Sequence, residues 1–148
     1  MKKIFIIIPS ASLASPVRGA CALANELSKF ADTTLVSLKG GDDALKLLNK
    51  HVDIIDLGKY KSWLKKLSVF KKILISNRSN KNLVTISIGL SADLLNSMCS
   101  NVALTLTSVR GDLPKVYEEK FGKIGKFIAY LHLKRLRKFD HIISMTKS

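Results

Sequence analysis

Arginine and glycine residues that follow predicted strands are the strongest candidates for chemistry in this sequence. Arg18 and Gly19 come after the apolar run 4–8 and a loop of small residues, where an Ala- and Leu-rich helical segment starts. Free backbone N–H groups and the helix dipole favour an anion at such a corner. The pair is therefore a candidate phosphate site. A solvated Arg18 and a Gly19 that simply permits close packing would explain the same residues.

A second group of candidates follows two later strands. Arg110 stands at the end of the predicted fifth strand, and Gly89, Leu90 and Ser91 follow the fourth. If the strands are parallel and adjacent, these loops converge with the first one on a single cleft. A guanidinium there can bind a carboxylate or phosphate through two parallel hydrogen bonds. A salt bridge from Arg110 to Asp112 is the alternative.

Other kinds of site have little support in the motifs. The sequence contains neither GxGxxG nor GxxxxGK[ST], the two common phosphate-binding patterns. His51, His132 and His141 have no Cys or His neighbours at ligand spacing, so we expect no metal site. Cys21 and Cys99 lie in apolar helical contexts and are predicted to be buried free thiols, as is typical of cytoplasmic proteins.

Strand-like and helical segments alternate along the 148 residues. The run 4–8 lacks polar alternation, which is typical of a central parallel strand covered on both faces. The helix after it begins at Pro16 with Ser15 as its cap, or else at Arg18. Further strands are predicted at 33–38, 52–57, 83–88, 102–109 and 141–145, and helices at 43–50, 63–74, 91–96 and in a long stretch ending at 139. This rhythm predicts an α/β fold, a Rossmann-like parallel sheet with helices on both faces.

The formal net charge of +14 points to a polyanionic partner such as nucleic acid, anionic lipid or a phosphorylated substrate. The segment 57–92 has no acidic residue and includes Lys65 and Lys66. In the last predicted helix, Ile124 belongs to an apolar row expected to face the core. Another side of that helix combines basic and aromatic residues, namely Lys123, Lys126, Phe127, Tyr130 and Lys134. These residues predict contact with an anionic membrane surface. A solvated face is the alternative, and no motif supports specific nucleic-acid recognition.

The segments 87–96, 107–114 and 139–145 together resemble the N-terminal domain of family 4 glycosyltransferases. Those are retaining enzymes with the GT-B fold of two Rossmann-like domains. The resemblance implies that this domain binds the acceptor, while a C-terminal domain holds most of a nucleotide-sugar donor. Arg18 and Gly19 match the family's loop that approaches the donor diphosphate, and Ile88 stands where many members have a histidine. No metal or other cofactor is implied, since the nucleotide-sugar is a co-substrate.

We therefore expect residues 1–148 to form a single Rossmann-like N-terminal glycosyltransferase domain that lacks its C-terminal donor-binding domain. The full-length enzyme is expected to transfer a sugar to a lipid-linked or cell-surface glycan in polysaccharide biosynthesis. The 148-residue chain alone is expected to be inactive. The expected location is cytoplasmic, peripheral on the inner face of the cell membrane. The alternative is a non-enzymatic basic module that binds anionic membrane or nucleic acid.

Overall fold

Six parallel strands form one sheet in the order β3-β2-β1-β4-β5-β6 within the part of the chain that the structure describes. The structure is a computed structural model that describes residues 3–9, 15–40, 46–77, 83–99, 102–109, 124 and 141–144. The strands are β1 Lys3–Ile8, β2 Asp32–Ser37, β3 Asp53–Asp56, β4 Leu83–Ile88, β5 Leu104–Val109 and β6 His141–Ser144. The predicted α/β, Rossmann-like fold is confirmed.

Strand β1 lies at the centre of the sheet because its side chains are apolar on both faces. Ile4, Ile6 and Ile8 pack into one hydrophobic cluster, and Phe5 and Ile7 into another. Burial of such a continuous apolar run is the main stabilising term for a strand in this position. The sequence-based placement of this strand is therefore confirmed.

The three described α-helices cover opposite faces of the sheet. Helix α1, Ser15–Leu27, packs on the face of Ile4, Ile6 and Ile8. Helices α2, Trp63–Ser76, and α3, Leu90–Ser97, pack on the other face. The chain runs from β1 towards one sheet edge and later from β4 towards the other. Right-handed crossovers then place the helices on opposite faces.

Helix α2 follows the predicted apolar stripe. Phe70 and Leu74 are fully buried, and the ring of Phe70 meets that of Phe5 edge to face, with 6.0 Å between the ring centroids. Trp63 and Leu67 are partly buried against the same cluster. An aromatic pair of this geometry adds about 1 kcal/mol to the area buried.

Some predicted boundaries differ from the structure. The Ala- and Leu-rich segment predicted to be helical runs to Phe30, whereas helix α1 ends at Leu27. The chain turns through 28–30 and leaves Phe30 81% exposed. The predicted helix 43–50 falls partly outside the described residues, and residues 46–47 form only a short 3-10 turn. The long helix ending at 139 also lies outside them, apart from Ile124. That residue is 66% exposed, so its expected place in the core is wrong. Among the described residues, no helix is long and apolar enough to cross a membrane.

Candidate functional site

The candidate site lies where the direction of the sheet's connections reverses, between β1 and β4. From β1 the chain moves to β2 and β3 on one side, and from β4 to β5 and β6 on the other. Helices α1 and α3, which follow β1 and β4, pack on opposite faces of the sheet. This topology predicts a crevice at the carboxyl ends of the two strands. In open parallel sheets ligands bind in this crevice.

Pro9 and Gly89 lie close together at the carboxyl ends of β1 and β4, where the topology predicts this crevice. Pro9 follows β1, Gly89 follows β4, and both are half-buried. Gly89 has φ 101° and ψ 163°, a region of backbone conformation used almost only by glycine. A Cβ atom on Gly89 would lie 2.7 Å from Pro9 Cγ and 3.3 Å from Pro9 Cδ. Glycine is thus required both by its backbone angles and by the closeness of the proline ring.

Helix α3 starts directly after Gly89. The carbonyl oxygen of Gly89 accepts the first hydrogen bond of the helix, from the amide of Asp93 at 2.8 Å. The earlier amides of the first turn have no acceptor inside a helix, and they carry its positive dipole end. Leu90 is the first residue of α3, and Ser91, half-buried, is the second. The crevice is therefore bordered by backbone donors next to a serine.

A buried carboxylate holds this helix on the sheet. Asp93 is only 1% exposed, and its Oδ1 atom accepts hydrogen bonds from two hydroxyl groups. Ser87 Oγ of β4 donates at 2.6 Å, and Thr107 Oγ1 of β5 donates at 2.5 Å. Hydrogen bonds to an ionised group are shorter and about twice as strong as neutral ones. The carboxylate therefore joins α3 to both strands within one turn of Gly89.

Asn96 continues the buried polar cluster one turn further along α3. Its Oδ1 accepts from Thr85 Oγ1 at 2.5 Å, and its Nδ2 donates to Ser87 Oγ and to the carbonyl of Leu106, both at 3.1 Å. Since the single hydroxyl proton of Ser87 goes to the Asp93 carboxylate, the Ser87 oxygen acts as an acceptor towards the amide of Asn96. We call Thr85, Ser87, Asp93, Asn96 and Thr107 the polar cluster.

The polar cluster was not predicted from the sequence. A signal existed, because Thr85, Ser87 and Thr107 alternate with aliphatic residues in two strands, and Asp93 and Asn96 are three residues apart on a helix. Alternation of this kind places the polar side chains on one face. The usual reading of such a face is solvent exposure, whereas here α3 covers it.

A lysine of α2 reaches the neighbouring strand end. Lys66 is half-buried, and its Nζ donates to the carbonyl of Leu38, just past β2, at 2.8 Å. Nearby, Asp56 caps the short 3-10 helix Leu57–Lys59 by accepting from the amide of Gly58 at 2.7 Å. Gly58 also packs so closely on Gly40 that a Cβ atom would overlap Gly40 N. These contacts fix the carboxyl ends of β2 and β3.

The structure brings together some of the predicted site residues. Gly89, Leu90 and Ser91 follow the carboxyl end of β4 at the start of α3, and their role in binding an acceptor stays a prediction. Arg18 and Gly19 are the fourth and fifth residues of α1, so the helix begins before them, and Arg18 is exposed. Their role in binding a diphosphate stays a prediction. Several predicted site residues lie outside the described part of the chain, namely Arg110, Lys123, Lys126, Phe127, Tyr130 and Lys134.

The two adjacent lysines predicted for the membrane surface have different surroundings. Lys65 is exposed on α2, whereas the ammonium group of Lys66 binds the Leu38 carbonyl. A lysine engaged in this way has a part in fixing the fold. Only Lys65 of the pair is freely available at the surface of the helix.

The cysteines are placed as predicted, because both are buried free thiols. Burial raises the pKa of the Cys99 thiol to about 11, although the nearby Lys71 ammonium acts in the opposite direction. Burial also raises the pKa of Cys21. Such thiols are poor nucleophiles at neutral pH. Among the described residues, no group of three or more His, Cys, Asp or Glu side chains is arranged to hold a metal ion.

No protein-family model matches this chain, and no curated protein matches it either. The fold and the crevice define it as an α/β protein with a Rossmann-like parallel sheet.

Proposed function

We propose that this chain is the acceptor-binding N-terminal domain of a retaining glycosyltransferase with the GT-B architecture. The full-length enzyme would transfer a sugar from a nucleotide-sugar to a lipid-linked or cell-surface glycan. One observation carries the proposal. The segment 87–96, on which the resemblance to family 4 glycosyltransferases mainly rests, forms the Gly89 turn and supplies Ser87, Asp93 and Asn96 of the polar cluster. The resembling residues thus lie at the edge of the sheet where open parallel sheets bind ligands, which supports the proposal.

The proposed acceptor site is Gly89, Leu90 and Ser91. Gly89 lets a ligand approach the backbone closely, since it has no side chain. Backbone amides in the first turn of α3 can donate to hydroxyl or phosphate oxygens of the acceptor. The polar cluster holds that turn in place, which limits the entropy lost when an acceptor binds.

The proposal also assigns part of the donor site to this domain. Arg18, Gly19 and Arg110 would face the donor diphosphate or an anionic acceptor group from this domain. Most donor contacts would belong to a C-terminal domain. Since transfer requires donor and acceptor in one cleft, the 148-residue chain alone should bind an acceptor without turnover.

Nuclear magnetic resonance of the 148-residue chain tests acceptor binding. A water-soluble analogue of a lipid-diphosphate-linked sugar should shift the amide signals of Pro9's neighbours and of residues 89–93. The variant Ser91→Ala should weaken this binding. Ser76→Ala is the matched control, because Ser76 is exposed near the opposite end of the sheet. Shifts confined to other surfaces, or a Ser76→Ala effect equal to that of Ser91→Ala, would contradict the proposal.

The alternative is a non-enzymatic basic module. Radiolabelled sugar transfer by the isolated chain with any nucleotide-sugar would refute the proposal that most donor contacts belong to a second domain. A reading frame that continues into a second Rossmann-like domain would favour the enzyme over the module.

A further inference from the structure

The outer surface of α2 exposes apolar and basic residues together. Leu64 is 73% exposed and Ile75 is 54% exposed, although both are large aliphatic side chains. Lys65 and Lys72 are exposed on the same helix. We call these four residues the α2 outer face. Isolated exposed aliphatic residues are common, but a pair on one helix flanked by lysines is typical of an interfacial helix.

Helical geometry aligns the four residues. Leu64 and Ile75 are eleven positions apart, so they lie within about 20° of each other around the helix and about 16 Å apart along it. Lys65 and Lys72 are seven positions apart and form a second row, about 10 Å long and roughly a quarter-turn around the helix from the first. The buried residues Phe70 and Leu74 mark the side of α2 that contacts the core.

The stretch of sequence that contains this face carries charge of one sign only. Asp56 and Asp93 are consecutive acidic residues in the sequence, and the chain between them contains none. Lys59 and Lys61, which precede α2, are also exposed. Basic residues without neighbouring carboxylates create a positive potential that extends about 8 Å into a solution at physiological salt.

We propose that the α2 outer face docks this protein on an anionic lipid bilayer. Leu64 and Ile75 would enter the boundary between headgroups and acyl chains, and Lys61, Lys65 and Lys72 would contact lipid phosphates. Lys66 takes no part, because its ammonium group binds the Leu38 carbonyl. This proposal does not depend on glycosyl transfer.

A bilayer fits this surface better than nucleic acid. Aliphatic side chains gain free energy by entering acyl chains, whereas they gain little on a phosphate backbone. Every basic residue from Leu57 to Asn77 is a lysine. Lysine supplies a point charge without the planar fork that suits arginine to bases and paired phosphate oxygens. Nucleic acid is therefore the competing outcome of the test.

Vesicle flotation with the full 148-residue chain tests the proposal. The probes are phosphatidylcholine vesicles with and without phosphatidylglycerol. We expect binding only to the anionic vesicles, with an affinity that falls as salt rises. Lys65→Gln with Lys72→Gln should weaken binding by tenfold or more, at about fivefold per lysine. Leu64→Asn with Ile75→Asn should weaken it by about tenfold or more, without a change in the salt dependence.

The matched control is Lys29→Gln with Phe30→Asn. Lys29 and Phe30 are exposed at the end of α1, on the opposite side of the sheet, and Phe30 is more exposed than either aliphatic residue of α2. This variant should bind vesicles like the unaltered chain. All substituted side chains are exposed, so urea midpoints should stay unchanged for each variant.

Three results would overturn the proposal. The first is equal binding, or no binding, of the unaltered chain to both kinds of vesicle. The second is an unchanged affinity of the Leu64 and Ile75 variant, or an equal loss in the Lys29 and Phe30 control. The third is tighter binding to double-stranded DNA than to anionic vesicles at 0.15 M salt, sensitive to the lysines and indifferent to the aliphatic residues.

Discussion

Substitution of Gly89 by alanine should destabilise the fold through two separable effects. The backbone of Gly89, at φ 101° and ψ 163°, costs a residue with a side chain about 1–3 kcal/mol. The new methyl carbon would also lie 2.7 Å from Pro9 Cγ, and overpacking of this kind costs a further 1–3 kcal/mol or so. We therefore expect Gly89→Ala to lower the free energy of unfolding by about 2–6 kcal/mol.

A double-mutant cycle with Pro9→Ala separates the two effects. Removal of the proline ring removes the atoms that the new methyl group would meet, but it leaves the backbone angles of residue 89 unchanged. Gly89→Ala should thus cost less in the Pro9→Ala background, by about the 1–3 kcal/mol assigned to overpacking. The remaining cost measures backbone strain. Pro9→Ala alone provides the reference for the loss of the ring.

Urea unfolding followed by circular dichroism provides the measurement, since the linear extrapolation yields a free energy for each variant. A cost below about 0.5 kcal/mol for Gly89→Ala would mean that the turn relaxes freely. An equal cost in both backgrounds would mean that the proline ring is not the obstacle. Either result would refute the account of how β1 and β4 meet.

Three further predictions concern buried groups. Asp93→Ala should lower the free energy of unfolding by about 3 kcal/mol, because it leaves two buried hydroxyl groups without their acceptor, and Asp93→Asn by about half as much. Urea midpoints of both variants check this, and equal midpoints for Asp93→Ala and the unaltered chain would contradict it. Since burial raises the pKa of Cys99 from 9.0 to about 11, the folded state keeps a proton that the unfolded state releases. The contribution of the protonated Cys99 thiol to the free energy of unfolding is complete below pH 9, and about 2–3 kcal/mol is lost as the pH rises to 11. In chemical unfolding followed across this pH range, Cys99→Ala should lack this part of the decline in the free energy of unfolding. Lys66→Met should lower the free energy of unfolding by about 1 kcal/mol, because the hydrogen bond to the Leu38 carbonyl is lost. Lys65→Met, at the exposed neighbouring position, should change it by no more than about 0.5 kcal/mol in the same assay.

The sequence predicted those parts of the fold that depend on local pattern. The unbroken apolar run of β1 and the apolar stripe of α2 each predict an element from local residues alone, without reference to the rest of the chain. The alternation of such segments was then enough to predict a parallel sheet. Boundaries were less accurate, as at Leu27, because a helix end depends on contacts with the next strand.

The parts that could not be predicted depend on which segments meet. Thr107 and Asp93 are fourteen residues apart, and their hydrogen bond requires both the pairing of β4 with β5 and the placement of α3 above them. Lys65 and Lys66 look alike in sequence. Only the position of the Leu38 carbonyl decides which of the two ammonium groups forms a hydrogen bond. The positive φ of Gly89 likewise follows from the meeting of two strand ends.

The crevice and the first turn of α2, with Leu64 and Lys65 of the α2 outer face, lie at the same edge of the sheet. Helix α2 connects β3 to β4, which are both parallel to β1, so it runs against the strands and begins at their carboxyl edge. The bond from Lys66 to the carbonyl after β2 confirms that the first turns of α2 lie at this edge. If α2 rests on a bilayer as proposed, its axis and the strands lie along the membrane plane. The crevice then faces sideways at the end of the sheet, one layer above α2. An acceptor attached to a lipid could then enter the crevice without leaving its membrane. Acceptors presented in anionic vesicles should therefore bind more tightly than soluble analogues, and the Leu64 and Ile75 variant should lose this difference while it keeps its affinity for the soluble analogue.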